Sequence, residues 1–406
     1  MTSLLKIILR FLAILTLKKY KPGIIAVTGS VGKTSVKEAI FAVLKNFRQT
    51  RAASGNFNNE LGVPLTILSA EREIKGLFFW PRIIIAAFWH LTVRQDNYPE
   101  LLVLEYAADR PGDIRYLLGI ARPQIGVVTA IGAVPVHVEF YAGPEAVAKE
   151  KGRLIESLPP TGWAVLNADD EAALTFKEKS AAPVLTFGFS PQAEIKISRL
   201  ETKNEGGFWW TAFKLEHQRT MVPVRLNELT GVSHAYAAAA AAGVGLIYGI
   251  NLVRAAENLI FYEPPPHRGQ VLSGIKASSI IDDSYNASPL SMRAALENLK
   301  KIDCRRRIAV LGDMLELGQY AIEAHEEIGR LAASAVQSLV TVGLRAKVLA
   351  GAAKKAGLSG ERVMSFDTAG EAARAVQTLI NPGDVVLVKA SRGIGLDKIV
   401  EEIRQL

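Results

Sequence analysis

One stretch constrains the fold more than any other: Ile24-Ile25-Ala26-Val27-Thr28-Gly29-Ser30-Val31-Gly32-Lys33-Thr34-Ser35. Four apolar residues read as a buried strand, Gly29 and Gly32 punctuate a turn, and residues 36–44 carry helical periodicity. Strand, glycine-rich turn and helix in this order make a phosphate cradle. The glycines let the backbone of Ser30 and Val31 curl so that N–H groups converge on phosphate oxygens. The helix N-terminus that follows Ser35 adds partial positive charge. Lys33 has the reach for the outer phosphates, and the Thr34 hydroxyl suits Mg²⁺. The longer G-x-x-x-x-G-K-[ST] pattern fails because Val27 stands at its first glycine, so the motif is the shorter T-G-x-x-G-K-T-S.

The 406 residues suffice for two or three domains. The single cysteine, Cys304, excludes a disulfide framework and a cysteine-rich zinc site, and fits a reducing cytosol. A net charge of +8 favours anionic partners such as nucleotides or an anionic membrane surface. No RNP, zinc-finger or homeodomain signature is present, so no nucleic-acid partner is expected.

Residues 1–20 read as an apolar helix with a narrow polar stripe of Ser3, Lys6, Arg10 and Ala13, followed by Lys18, Lys19 and Lys21. It is too short and too charged for a membrane span. Two readings stay open: an interfacial helix on the inner face of the membrane, or a helix packed on the protein. Residues 76–93 are a second apolar run, broken by Pro81 and Arg82 and bracketed by Trp80 and Trp89; they read as a buried hairpin or helix pair, or as a second interfacial contact. Between them, Ser54-Gly55-Asn56-Phe57-Asn58-Asn59-Glu60-Leu61-Gly62 reads as a polar loop near the phosphates.

Further strands punctuate the chain. Residues 101–105 end in Glu105, a carboxylate at the carboxyl end of a strand, where open α/β sheets bind ligands. Residues 125–129 form another, followed by a loop with His137 and Glu139, then a helix over 144–157 carrying Lys149 and Lys151, and a strand running into Asn167-Ala168-Asp169-Asp170. Residues 183–230 alternate like a small mixed or antiparallel sheet, and 231–260 read as an alanine-rich helix pair. The stiff run Glu263-Pro264-Pro265-Pro266 marks a boundary. Beyond it the α/β rhythm returns, with strands at 279–283, 308–311, 338–342 and 384–389, a helix at 289–300, and a cationic turn Lys389-Ala390-Ser391-Arg392. The expected fold class is therefore α/β. A P-loop ATPase-like central domain (21–265), with a mainly parallel sheet and a small β subdomain, follows the N-terminal helix (1–20) and precedes a Rossmann-like C-terminal domain (266–406).

Together, TGSVGKTSVKEAI, GNFNNELGVPLTIL, Glu105, the His137-Val138-Glu139 loop, KEKGRLIESLP, LNADD, IDDSYNASPLSMRAALENL, VLGDMLELG and VKASRG resemble the Mur ligase family. The resemblance runs from about Lys21 to the C-terminus. It implies a cytoplasmic, monomeric, ATP-dependent amide ligase of peptidoglycan synthesis. Such an enzyme joins a D-alanyl-D-alanine-like dipeptide to a muropeptide precursor through an acyl phosphate. It also implies the site: Lys33 on the outer phosphates, Thr34 and Glu105 on a first Mg²⁺, and His137 with a carbamylated lysine on a second. Lys151 is expected to carry the carbamate, with Lys149 the runner-up. Asp283 and Asn286 are expected at the adenosine, and Arg268 and the 389–392 turn at phosphates.

Three departures shape the expectation. With only residues 1–20 ahead of the first domain, the family's N-terminal sugar-nucleotide domain is expected to be missing. The usual G-x-H-N-x-x-N reads Gly231-Val232-Ser233-His234-Ala235-Tyr236-Ala237, so His234 replaces the adenine-contacting Asn. Ala390 stands where glycine is usual. The alternatives are a related ligase acting on a different or lipid-linked substrate, and a membrane-associated nucleotide-binding scaffold without ligation. Folylpolyglutamate and cyanophycin synthetases match the motifs less well, and the single cysteine disfavours a zinc-ribbon relative.

Overall fold

The computed structural model describes residues 2–53, 55, 57–69, 79–93 and 95–405. Ser54, Asn56 and residues 76–78 of the stretches discussed above lie outside the described residues, as does the side chain of Ser3. Helix α1 (Thr2–Tyr20) leads into β1 (Gly23–Thr28), the phosphate loop and α2 (Lys33–Leu44). There follow β2 (Thr50–Ala52), α3 (Gly62–Ile67), α4 (Phe79–Thr92), β3 (Leu101–Glu105), α5 (Asp113–Leu118), β4 (Ile125–Val128) and α6 (Pro144–Glu156). Next come β5 (Trp163–Asn167), α7 (Glu171–Leu174), β6 (Val184–Gly188), β7 (Ile195–Glu205), β8 (Phe208–His217) and β9 (Thr220–Asn227). Helices α8 (Val232–Ile247) and α9 (Leu252–Asn258) complete this part.

The nine strands form one sheet in the order β2-β3-β1-β4-β5-β6-β7-β8-β9. Pairing is parallel from β2 to β7 and antiparallel across β7–β8 and β8–β9. The strands of 183–230 thus extend the parallel sheet through the Phe187–Ile195 register rather than standing as a separate sheet. Alternation reveals a strand but not which edge it joins. Along β1, Ile25 and Val27 face one core with α2 and α8, while Ile24 and Ala26 face the other, with Ala13 of α1, Val63 of α3 and Ile114 of α5. That two-sided burial explains the continuous apolar run. Helix α8 is alanine-rich because its neighbours come close: a Cβ on Gly245 would stand 2.9 Å from Val43 Cγ1, and one on Gly243 2.7 Å from Leu185 Cδ2.

Two local expectations change. Helix α2 begins at Lys33, three residues before the apolar periodicity, because its first turn belongs to the phosphate loop. The described part of the 76–93 stretch is a single helix, α4, not a hairpin or helix pair. Pro81 falls in its first turn, where the missing N–H has no intrahelical partner to lose.

The second sheet has the order β10-β11-β15-β12-β13-β14. Its strands are β10 (Gln270–Gly274), β11 (Ser278–Asp282), β12 (Arg306–Gly312), β13 (Ser338–Val342), β14 (Val363–Phe366) and β15 (Asp384–Lys389). All neighbours pair in parallel except β10 with β11. Helices α10 (Pro289–Lys301), α11 (Ala321–Ala335), α12 (Ala346–Lys355), α13 (Ala369–Leu379) and α14 (Asp397–Ile403) cover it. The antiparallel edge β10 and the short β14 were not legible as strands in the sequence.

Candidate active site

Strand β1 lies between β3 and β4, so the chain turns away from the sheet there in both directions, and a crevice opens at the carboxyl ends of the strands. The phosphate loop fills it. Gly29 has φ 146°, and a Cβ there would lie 1.9 Å from Thr129 Oγ1. Thr129 itself braces the loop, donating from Oγ1 to the carbonyl of Val31 at 2.6 Å. The N–H groups of Ser30 and Val31 both donate to the carbonyl of Ala130, at 2.7 and 3.1 Å. The donors for an anion therefore fall to the start of α2, where Gly32 (φ 86°) supplies no side-chain cap. The Ser30 hydroxyl oxygen is buried without a hydrogen-bond partner.

Two lysines converge on one carbonyl. Lys33 Nζ and Lys151 Nζ each donate to Gly29 O at 3.0 Å. Lys151 is 1% exposed, and burial, reinforced by the Lys33 charge, pulls its ammonium down from 10.5 to about 7. Burial lowers Lys33 as well, with Glu105 opposing. Lys149, two residues along the same helix, is exposed. Val127 of β1's neighbour β4 and Val27 of β1 are register partners, and Val27 also pairs with Glu105, which brings that carboxylate beside the loop. Glu105 is 2% exposed; its Oε1 accepts from Asn58 Nδ2 at 3.0 Å, and its Oε2 has no partner. A buried carboxylate oxygen left open in the same cavity as Thr34 fits a cation bound with phosphate. Among the described residues no three His, Cys, Asp or Glu side chains form a metal cage by themselves. A divalent ion here would therefore draw on substrate oxygens and water, as Mg²⁺ does.

His137 stands at φ 68° in the loop after β4. Its Nε2 lies 3.3 Å from Asp109 Oδ1, and its Nδ1 lies 2.6 Å from Glu316 Oε2 without hydrogen-bond alignment. Glu316 comes from the loop after β12, so the second sheet reaches the histidine directly. The backbone follows: the Glu139 N–H donates to Glu316 O at 3.3 Å.

The second sheet supplies the other wall of a cavity of about 600 Å³. Lys389, 2% exposed, donates to Asp283 Oδ2 at 2.6 Å and to the Asn286 carbonyl at 2.9 Å. Burial raises the Asp283 carboxyl and Lys389 counters it. Two guanidinium groups lie over the Tyr285 ring, with Arg268 Cζ at 4.2 Å and Arg392 Cζ at 5.5 Å from its centroid. Lys33, Thr34, Glu105, His137, Arg268, Asp283, Asn286, Lys389 and Arg392 all line this cavity. His234 does not join them. It is fully buried, with Nδ1 3.0 Å from the Tyr262 hydroxyl and Nε2 2.9 Å from the Arg268 carbonyl, and burial lowers it to about 4. Both nitrogens are taken, so the expected adenine contact has no free atom there, whereas Ser233 and Tyr236 do line the cavity. Asp109, Thr129 and Glu316 were not singled out from the sequence, since each meets its partner there across a long sequence separation.

Similarity to known proteins accords with this arrangement. The family profile described as Mur ligase middle domain matches residues 27–79 and 87–245, and the one described as Mur ligase, glutamate ligase domain, matches 267–392. The UDP-N-acetylmuramoyl-tripeptide–D-alanyl-D-alanine ligase of Mycobacterium tuberculosis is 35% identical, over 94% of this chain and 72% of its own length. The crystal structure of MurF ligase from Thermotoga maritima in complex with ADP matches with a TM-score of 0.79 at 27% identity, over 97% of this chain and 82% of that one. A MurF structure from Acinetobacter baumannii shares the fold with a TM-score of 0.81 at 24% identity, over 98% and 80% of the two chains. With both profiles and a relative of this identity spanning nearly its whole length, the chain belongs to the Mur ligase family.

Proposed function

We propose that the protein is an ATP-dependent ligase joining D-alanyl-D-alanine, or a similar amine, to the terminal carboxylate of a UDP-linked muramoyl tripeptide in peptidoglycan synthesis. The observation that carries this is the convergence of Lys33 and Lys151 on the Gly29 carbonyl, beside the open oxygen of Glu105. A nucleotide-binding scaffold needs the first lysine but not the second. The substrate carboxylate attacks the γ-phosphorus of ATP, forming an acyl phosphate and releasing ADP. The amine then attacks the acyl carbon, loses a proton and expels phosphate. Lys33 neutralises charge on the transferring group. Thr34 and Glu105 would hold one Mg²⁺, which when bound would offset phosphate charge. His137 and a carbamate on Lys151 would hold a second. Carbamylation needs a neutral amine, and burial lowers Lys151 to about 7, so that a large share of it is neutral near physiological pH. The neutral amine would take up CO2 and release a proton, giving a carbamate anion that opposes the charge of Lys33.

Arg268, Asp283, Asn286 and the turn at 389–392 receive the nucleotide from the second wall. The boundary at residues 263–266 then separates units 21–265 and 266–406, and closure across it excludes water from the acyl phosphate. The protein works as a monomer in the cytoplasm. A peripheral position at the inner face of the membrane is supported by the basic, acid-free helices α1 and α4.

The test is phosphate release from ATP and Mg²⁺ with D-alanyl-D-alanine and either UDP-muramoyl-tripeptide or its lipid-linked form. Release that requires both amine and soluble acceptor supports the reading. Release only with the lipid-linked acceptor would move the substrate to the membrane. ATP binding without release in either case would leave a scaffold.

A further inference from the structure

Helices α1 and α4 are seated on the protein by one face only. Leu9 and Leu12 of α1, Ile83 and Ala87 of α4, and Leu65 of α3 share a buried cluster. Lys19 Nζ donates to the carbonyls of His90 and Leu91 at 2.9 and 3.1 Å, and the Tyr20 hydroxyl donates to that of His90 at 2.9 Å, so the helices meet at their C-terminal ends. The outer faces are apolar and exposed. Leu4, Ile7 and Phe11 are 64%, 65% and 59% exposed; Ile85 and Trp89 are 69% and 61% exposed.

Helical spacing places Lys18 on the stripe of Leu4, Ile7 and Phe11, and Arg82 on the stripe of Ile85 and Trp89. Neither helix contains an Asp or Glu. Three of the other basic groups are engaged on the protein: Lys6 with Glu60 at 2.6 Å, Arg10 against the Tyr116 ring, and Lys19 at the end of α4. Lys18 and Arg82, at the ends of these stripes, and Lys21, just past α1, remain exposed. Residues 80–86, the start of α4, also fall outside the match to the middle-domain profile.

We infer that α1 and α4 together form a docking surface for a bilayer containing anionic lipid, lying in the plane of its interface. Leu4, Ile7, Phe11, Ile85 and Trp89 enter the boundary between headgroups and acyl chains, and Lys18, Lys21 and Arg82 face lipid phosphates. Among the described residues no helix is long and apolar enough to cross a membrane, so the contact is peripheral. Trp89 has the amphipathic ring suited to headgroup depth. A second copy of the chain is disfavoured as occupant, because pairing like with like would set cations against cations. The inference deepens the peripheral location proposed above and is independent of the ligation chemistry.

The full-length protein is floated with vesicles of phosphatidylcholine alone and of phosphatidylcholine with phosphatidylglycerol. Binding to the anionic vesicles only, weakened by salt, is the expected result. Replacing Lys18 and Arg82 by Gln should cut the partition coefficient about 5-fold per cation. Phe11→Ser with Trp89→Ser should cut it roughly tenfold or more. Both pairs of variants should keep their circular dichroism and their phosphate release with soluble substrates, which separates lost docking from lost folding. No flotation of the wild type, equal binding to neutral vesicles, or undiminished binding of either variant pair overturns the inference. So does a dimer that the Phe11/Trp89 variant abolishes in the absence of flotation, which would make the face a self-contact. Flotation without phosphate release would leave the docking surface standing and remove the ligase reading; the converse result would do the opposite.

Discussion

Replacing Lys151 with methionine is expected to make the protein more stable and inactive at once. Burial lowers the Lys151 ammonium from 10.5 to about 7. At 1.36 kcal/mol per pKa unit, the fold bears roughly 5 kcal/mol to hold that side chain in its protonated form. The sign follows from proton counting. Between pH 7 and 10.5 the unfolded chain keeps the proton and the folded chain does not, so stability rises with pH across that window and the full cost is present below it. Methionine removes the cost but also removes the hydrogen bond to Gly29, about 1–1.5 kcal/mol, and fills the space imperfectly. A net gain of roughly 2 kcal/mol at pH 7 is left, or about 4–8 °C in apparent Tm for a unit of this size. The assay is a thermal melt of both proteins in carbonate-free buffer from pH 7 to pH 10. The gap should shrink as pH rises and reverse near pH 10, where only the lost hydrogen bond remains. Added bicarbonate should stabilise the wild type alone, because the carbamate places an anion beside Lys33. A variant that melts at or below the wild type at pH 7, or a gap constant across the range, would falsify the assignment of Lys151 as a buried amine with a weakened hold on its proton.

Gly29→Ala should abolish measurable nucleotide binding, because its Cβ would fall 1.9 Å from Thr129 Oγ1 at a φ of 146°. Isothermal titration with ATP checks it, and a second change, Thr129→Ala, should restore part of the affinity. Glu316→Gln should raise the Mg²⁺ concentration for half-maximal phosphate release about tenfold, since the carboxylate beside Nδ1 orients His137; Mn²⁺ binding followed by electron paramagnetic resonance gives an independent reading. Lys389→Met should destabilise the fold by roughly 2–3 kcal/mol in urea melts, below the full penalty for a broken buried pair because the Asp283 side chain keeps 24% exposure. An unchanged midpoint would show that Asp283 simply takes up a proton.

The local chemistry of this protein was legible residue by residue. The phosphate loop, the strand-end Glu105 and the alternation of strands and helices depend on neighbours within a few positions, and such patterns survive in one dimension. The helix of Lys149 and Lys151 shows where that legibility stops. Its spacing sets the two lysines about 200° apart, so only one of them can face inward. Which one does so is decided by packing, since Val147, Leu154 and Ile155 bury the same face as Lys151. His234 is the opposite case. Its place in a motif suggested a ligand contact, but Tyr262 and the Arg268 carbonyl occupy it from 28 and 34 residues away.

The sequence by itself determined the fold class, the position of the nucleotide loop and the charge character of helices α1 and α4. Tertiary structure alone decided that Asn58 holds Glu105, that Thr129 braces the loop and that Glu316 reaches His137 from the second sheet. It also decided which face of each amphipathic helix is left in water. The physical reason is range. A turn or helix follows from backbone and side-chain preferences acting between near neighbours, whereas a site assembled from two sheets depends on which strands pair and in what register.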